Sequence, residues 1–292
     1  MEKVALVKCD SYQISQVEEA IAHVFSFLGG IDTFIKPGMN VLIKPNLLMK
    51  KKPEEAATTH PSIVEAIAKK VVSLGANVII ADSPGVLKAE YHFRMNNTKD
   101  FSDLLVDICE CVKPGISIMD AIEAMEGEGP SSGTPRHLGF ILGSVNPYAL
   151  DIAASRLIGL SSNQVFTIVR ASERGLVSQL QQIEILGEDI ESSSVKDFKL
   201  PVVFRDIQFF KSSVLKFLVN YLKPRPVFQY DRCTGCRDCA NHCPPKVISF
   251  KDNRPVVDLK KCIRCFCCQE LCLQKAVEIK KPWLTRKFFW HH

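Results

Sequence analysis

No apolar run in this 292-residue chain reaches the ~20 residues that a bilayer-spanning helix needs. The nearest stretch, from Ser213 to Leu222, is short and is broken by Lys216. Helix-turn-helix and zinc-finger spacings are missing too, so nucleic acid is not an expected partner. The chain does not open on a secretory signal pattern, and four of its cysteines are scattered rather than paired. Both features point to a reducing, cytoplasmic setting, not to a disulfide-bonded secreted protein.

Cysteine itself is plentiful, at twelve residues. Eight fall in two runs near the C-terminus: Cys233-x-x-Cys236-x-x-Cys239-x-x-x-Cys243-Pro244 and Cys262-x-x-Cys265-x-x-Cys268-x-x-x-Cys272. Three thiolates at this spacing can curl around one cubic iron–sulfur cluster. The fourth is carried off by a turn and a short helix and reaches the other cluster. The spacing therefore assigns Cys233, Cys236, Cys239 and Cys272 to a first [4Fe-4S] cluster, and Cys262, Cys265, Cys268 and Cys243 to a second. Zinc sites pair two knuckles per metal, and the three-plus-one register does not follow that pattern. The segment between the runs reads as two short strands joined by residues 251–254, and a further strand follows the second run at 276–279. Leu273 stands where the first run has Pro244. Cys267, beside Cys268, reads as a small buried hydrophobe, and Cys9, Cys109 and Cys111 read as core residues, with no catalytic nucleophile indicated.

The net charge of +5 conceals an asymmetry. Residues 1–200 hold 19 Lys+Arg against 25 Asp+Glu, and residues 201–292 hold 18 against 7. Thiolate-bound clusters are anionic, so part of the basic excess is internal compensation. The remainder suits docking of an acidic redox partner, or else is simply solvated lysine. Helical spacing of Phe210, Val214, Phe217, Leu218 and Tyr221 gives the connecting segment 201–226 an apolar stripe. Its expected role is packing, with peripheral membrane contact the less favoured reading. The basic, aromatic tail 283–292 reads either as a membrane or partner anchor or, the reading favoured here, as a C-terminal strand or arm that docks on residues 227–282, the two-cluster ferredoxin domain.

Strand and helix alternate through residues 1–200. Strands are expected at 4–7, 40–43, 77–80, 115–119, 138–142 and 183–186. Helices are expected at 15–28, with Ser15 and Glu18 as a capping box, and at 61–74, 101–112, 147–158 and 164–172. Asn146 and Pro147 form a helix-start signature. The pattern is that of a layered α/β domain with a mostly parallel sheet, followed by a small α+β ferredoxin domain. Lys44, Asn46, Asp82, Ser83 and Asp120 sit at or just past expected strand ends, and His60 opens a helix. Ligands in open α/β sheets bind at the carboxyl ends of strands, so these residues can converge on one crevice. Lys44 and a helix N-terminus favour a small anion; the carboxylates favour a metal or an amine. Asn and Asp after strands are equally ordinary turn formers and caps. Glu126 is the acid expected in the loop that follows, and residues 130–135 are a loop over the site or a plain connection.

Five stretches occur together: Val41-Leu-Ile-Lys-Pro-Asn-Leu-Leu48, Thr58-Thr-His-Pro61, Ala81-Asp-Ser-Pro-Gly85, Met119-Asp-Ala-Ile-Glu-Ala-Met-Glu-Gly-Glu-Gly-Pro130 and Asn146-Pro-Tyr-Ala-Leu-Asp151. In this order they resemble the N-terminal part of the DUF362 family over roughly residues 1–190. The resemblance implies an α/β domain fused to a two-cluster ferredoxin domain. It also implies a middle segment that is absent here, because Gly85 runs almost directly into Ala89-Glu-Tyr-His-Phe-Arg94. Loss of that segment should expose apolar sheet edges and weaken the domain unless a partner covers it. Three functions follow as expectations. The first is an electron-transfer protein whose N-terminal domain docks a partner or small ligand. The others are an oxidoreductase fed by the clusters, and a scaffold in which the clusters are structural.

Overall fold

The computed structural model describes residues 1–47, 51–82, 95, 97–127, 129, 133–179, 182–200 and 224–280. The chain forms two units, Met1–Asp82 with Lys99–Val202, and Ser83–Thr98 with Val203–His292. The amphipathic segment expected at 209–222, Ser83, residues 130–132 of the 130–135 loop and the tail 283–292 lie outside the described residues.

The layering of the first unit follows from strand β1 (Glu2–Lys8). Successive side chains of a strand point to opposite faces. Val4 and Leu6 enter one apolar cluster, Ala5 and Val7 the other, and the first three of these four are fully buried. A strand buried on both faces must be apolar throughout, which is why no alternation is visible in its sequence. Helix α1 (Ile14–Phe27) covers one face with Val17, Ala20, Ile21 and Val24. Helix α4 (Pro147–Leu157) covers the other with Ala149, Leu150, Ile152 and Ala153. Each such aliphatic side chain contributes about 1.5–3 kcal/mol on burial. At Gly143 the backbone approaches α1 so closely that a Cβ would stand 2.3 Å from Val24 Cγ1.

The central sheet runs β4 (Ser117–Glu126), β5 (Thr134–Ser144), β1, β6 (Ile183–Gly187). The expected parallel pairing joins β1 to β6, and it also joins β2 (Asn40–Ile43) to β3 (Asn77–Ile80) in a separate two-stranded sheet. β4 pairs antiparallel with β5, and β5 with β1. A short connection between β4 and β5 permits only an antiparallel hairpin, because a parallel return needs a crossover. Helix α2 (Pro61–Ser73) packs one face of β2–β3 through Ile67 and Val71 against Val41 and Val78. The paired neighbours Leu42 and Ile79 are exposed by 62% and 52%. Such exposure of a parallel sheet agrees with the loss of a covering segment. Helices α3 (Thr98–Val112), α5 (Phe166–Glu173) and α6 (Ile190–Ser193) complete this unit.

Asn146 caps α4 as its sequence suggests: Oδ1 accepts from Tyr148 N at 2.9 Å and from Ala149 N at 3.2 Å. The Ser15–Glu18 capping box does not form. α1 already begins at Ile14, so Ser15 lies inside its first turn and the cap position falls to Gln13, which makes no side-chain bond. Ser11 shapes the entry, its Oγ accepting from Gln13 N and donating to Gln16 Oε1.

The second unit is built from β7 (Arg225–Phe228), α7 (Asp238–Asn241), the hairpin β8 (Ile248–Lys251) and β9 (Arg254–Val257), α8 (Cys267–Glu270) and β10 (Val277–Lys280). β10 closes antiparallel on β7, bringing the ends of the unit together. Asp252 and Asn253 turn the hairpin with φ of 50° and 59°, as a two-residue turn of this hand requires. Its core holds Cys243, Ile248, Cys268 and Val277, with Cys239 and Cys272 packed against them. A core this small, and this rich in thiols, needs a metal to hold it.

Candidate metal centre and a second cavity

The two cysteine runs fold alike. Left-handed backbone recurs at matching positions, with Gly235 paired by Arg264, Arg237 by Phe266, and Lys246 by Lys275. Arg237 and Phe266 each precede a four-residue helix, α7 or α8, so each run turns sharply between its second and third cysteine. Gly235 also leaves room for the Asn253 side chain, which a Cβ there would have to displace.

The eight thiols line two small cavities of equal size, about 20 Å³ each. One is lined by Cys233, Cys236, Cys239 and Cys272, together with Phe228 and Phe250. The other is lined by Cys243, Cys262, Cys265, Cys268 and also Cys267. In each, three cysteines of one run meet the last cysteine of the other. Among the described residues, no group of three or more His, Cys, Asp or Glu side chains is poised to grip a single metal ion. Four thiols spread around one space fit a cluster better than an ion. Burial pushes the Cys239 thiol up to about 11 and raises Cys262 and Cys268 as well. Thiolates here need a cation to stabilise them, and iron supplies it. Ala276 N donates to Cys272 Sγ at 3.3 Å, a bond of the kind that orients a ligand. Cys267 is 6% exposed, as expected of a buried small side chain. It also does something that was not expected: its thiol points to the Cys265 carbonyl at 3.9 Å, and its proximity draws the Cys265 thiol down to about 7.

The residues expected to form one crevice are held in four hydrogen-bonded groups. Lys44 Nζ lies 2.8 Å from Asp82 Oδ1, whose other oxygen accepts from Leu47 N at 3.0 Å. Asn46 is tied to Thr59 by backbone and hydroxyl bonds. Asp120 accepts from Tyr12 Oη at 2.9 Å and from His60 N at 3.0 Å, and the Tyr12 and His60 rings stack 3.7 Å apart. Burial lowers the His60 pKa, and burial with the adjacent Asp120 raises that of Tyr12. Asp120 lies within β4, not past a strand, because antiparallel pairing with β5 carries the strand on to Glu126. Glu126 is therefore a strand residue, 5% exposed and not in a loop; it pairs with Lys199 through Nζ at 3.1 Å and backbone N at 3.2 Å. The Lys199 hydrogen bonds hold its carboxyl below the usual range.

Asn46 and Asp120 do share a larger cavity, about 740 Å³, in the first unit. Lys44, His60, Asp82 and Glu126 do not line it. Asp151 of α4 does, and sequence reasoning missed it. Burial alone raises its carboxyl to about 6. The only available signal was its place at the end of the Asn146-to-Asp151 stretch.

Comparison with known proteins agrees with this division. The family described as Domain of unknown function (DUF362) matches residues 41–89 and 83–156. The two pieces overlap at residues 83–89. The 4Fe-4S dicluster domain matches residues 225–273. A thylakoid-associated protein of Synechocystis sp. is 22% identical over 310 residues, covering 76% of this chain and 97% of the relative. That span is longer than the part of this chain it covers, so the relative carries residues without counterpart here. The chain therefore joins a DUF362 region to a C-terminal 4Fe-4S dicluster domain that carries iron–sulfur clusters.

Proposed function

We propose that this protein transfers electrons through two [4Fe-4S] clusters. One is held by Cys233, Cys236, Cys239 and Cys272, the other by Cys262, Cys265, Cys268 and Cys243. The observation that carries the reading is the crossing of the fourth cysteine of each run into the cavity of the other. Crossed ligation holds both clusters in one small body, which favours electron exchange between them.

In this reading the α/β region docks a partner or a small ligand, and the protein works in the reducing cytoplasm. The excess of Lys and Arg beyond residue 200 suits an acidic redox protein. Among the described residues no helix is long and apolar enough to cross a membrane. The relative's association with thylakoids makes an anionic membrane surface the competing target for the same charge. The 740 Å³ cavity favours a second reading, an oxidoreductase fed by the clusters.

Anaerobic purification followed by iron and sulfide analysis tests the first reading. About eight of each per chain, with visible absorption that bleaches on reduction and returns on oxidation, is the expected result. Zinc in place of iron, or iron that never changes oxidation state, would leave a structural metal domain.

A further inference from the structure

The large cavity of the first unit has a charge pattern that the clusters do not explain. Among the described residues its wall carries three carboxylates, those of Asp120, Glu123 and Asp151, and no Lys, Arg or His. Two of the three are occupied by the protein itself. Asp120 accepts from Tyr12 and His60, and Glu123 lies 2.6 Å from His137 Nδ1. Asp151 differs. Its backbone carbonyl accepts from Ser155 Oγ at 2.7 Å, but among the described residues no side chain or backbone donor reaches its carboxylate. Asp151 is half-buried, and among the described residues no side-chain oxygen is sealed off without a partner, so its carboxylate opens into the cavity, where a ligand can meet it. Partial burial raises its pKa. The rest of the wall is largely apolar, with Leu105, Val106, Met119 and Leu150 facing the same space. At about 740 Å³ the cavity lies in the range of small-molecule sites.

We propose that this cavity binds a small organic cation, its ammonium group on Asp151 and its apolar body against Leu105, Val106, Met119 and Leu150. The ligand supplies the donor that the protein withholds, and the apolar wall strengthens the charge pairing by excluding water. A metal ion is the poorer occupant, because no group among the described residues is poised to hold one. The assignment rests on reading the α/β region as the ligand-docking part, and it reverses the anion that Lys44 suggested.

The test uses the intact, cluster-loaded protein at pH 8 and three probes that share one apolar body: 2-phenylethylammonium, 3-phenylpropionate and 2-phenylethanol. Equilibrium dialysis under anaerobic conditions should show one ammonium probe per chain, with the alcohol weaker and the carboxylate not retained. Asp151→Asn should weaken the ammonium probe at least ten-fold and leave the alcohol unchanged. Ala124→Phe, which fills the cavity, should remove both. Retention of the carboxylate, lost in Ala124→Phe, would overturn the cation assignment while leaving small-ligand docking in place. No retention of any probe, or ammonium binding indifferent to both variants, would overturn the site. Iron content and reversible reduction measured on the same samples keep either failure separate from the electron-transfer reading.

Discussion

Cys272 closes the second cysteine run, yet it lines the cavity of Cys239 from the first. Cys243 makes the reciprocal crossing into the cavity of Cys262. Substitutions should therefore group by cavity and not by run. Cys272→Ala and Cys236→Ala should abolish the same paramagnetic signal and lower iron by about half, and Cys243→Ala and Cys265→Ala should abolish the other. Loss of one signal by Cys236→Ala and Cys243→Ala together, with the other kept, would place each cluster within a single run.

Gly235 sets how tightly the first run can turn. Its φ is +73°, and a Cβ would collide with Asn253. Both the left-handed φ and the Asn253 side chain act against a Cβ here. Gly235→Ala should destabilise the domain by about 1–3 kcal/mol and reduce iron loading. Adding Asn253→Ala should restore part of the loss, as read by thermal bleaching of the cluster absorption.

Cys267 shares a cavity with the second set of thiols, and its thiol points to the Cys265 carbonyl. Removing a polar group beside a ligand sulfur makes a cluster harder to reduce. Cys267→Ala should keep full iron and lower the midpoint potential of one cluster only. Loss of iron would make Cys267 a ligand.

Asp151 should cost stability at neutral pH. Its carboxyl titrates near 6 in the folded chain against an ordinary 3.8. A raised carboxyl pKa means the folded state holds its proton more tightly, so stability falls as pH rises from about 4 to 6 and the full penalty applies above that. Asp151→Asn should raise stability at pH 7.5 by up to ~2–3 kcal/mol, and the gain should vanish near pH 4. Denaturant midpoints across that range measure it. A destabilised variant at pH 7.5 would mean that the carboxylate has a partner in the fold.

The cysteine sets could be read from sequence because ligation to a cubane imposes a short, local spacing. Asn146 was legible for the same reason, since a cap acts on residues two and three positions on. Contacts set by distant parts of the chain were not legible. β7, a strand of four residues containing Pro226, gains its identity only from β10. Glu126 reads as a loop acid until pairing with β5 extends its strand. The partners of Lys44, His60 and Glu126, which are Asp82, Asp120 and Lys199, lie far along the chain and could not be read locally. Asp151 escaped notice because nothing local tells a helix residue that it faces a cavity.

An EPR-monitored redox titration of the anaerobically purified protein tests electron transfer through two crossed clusters most directly. Two one-electron signals that appear reversibly and broaden each other when both clusters are reduced are the predicted result. A single signal, or iron that stays in one oxidation state throughout the titration, would contradict it.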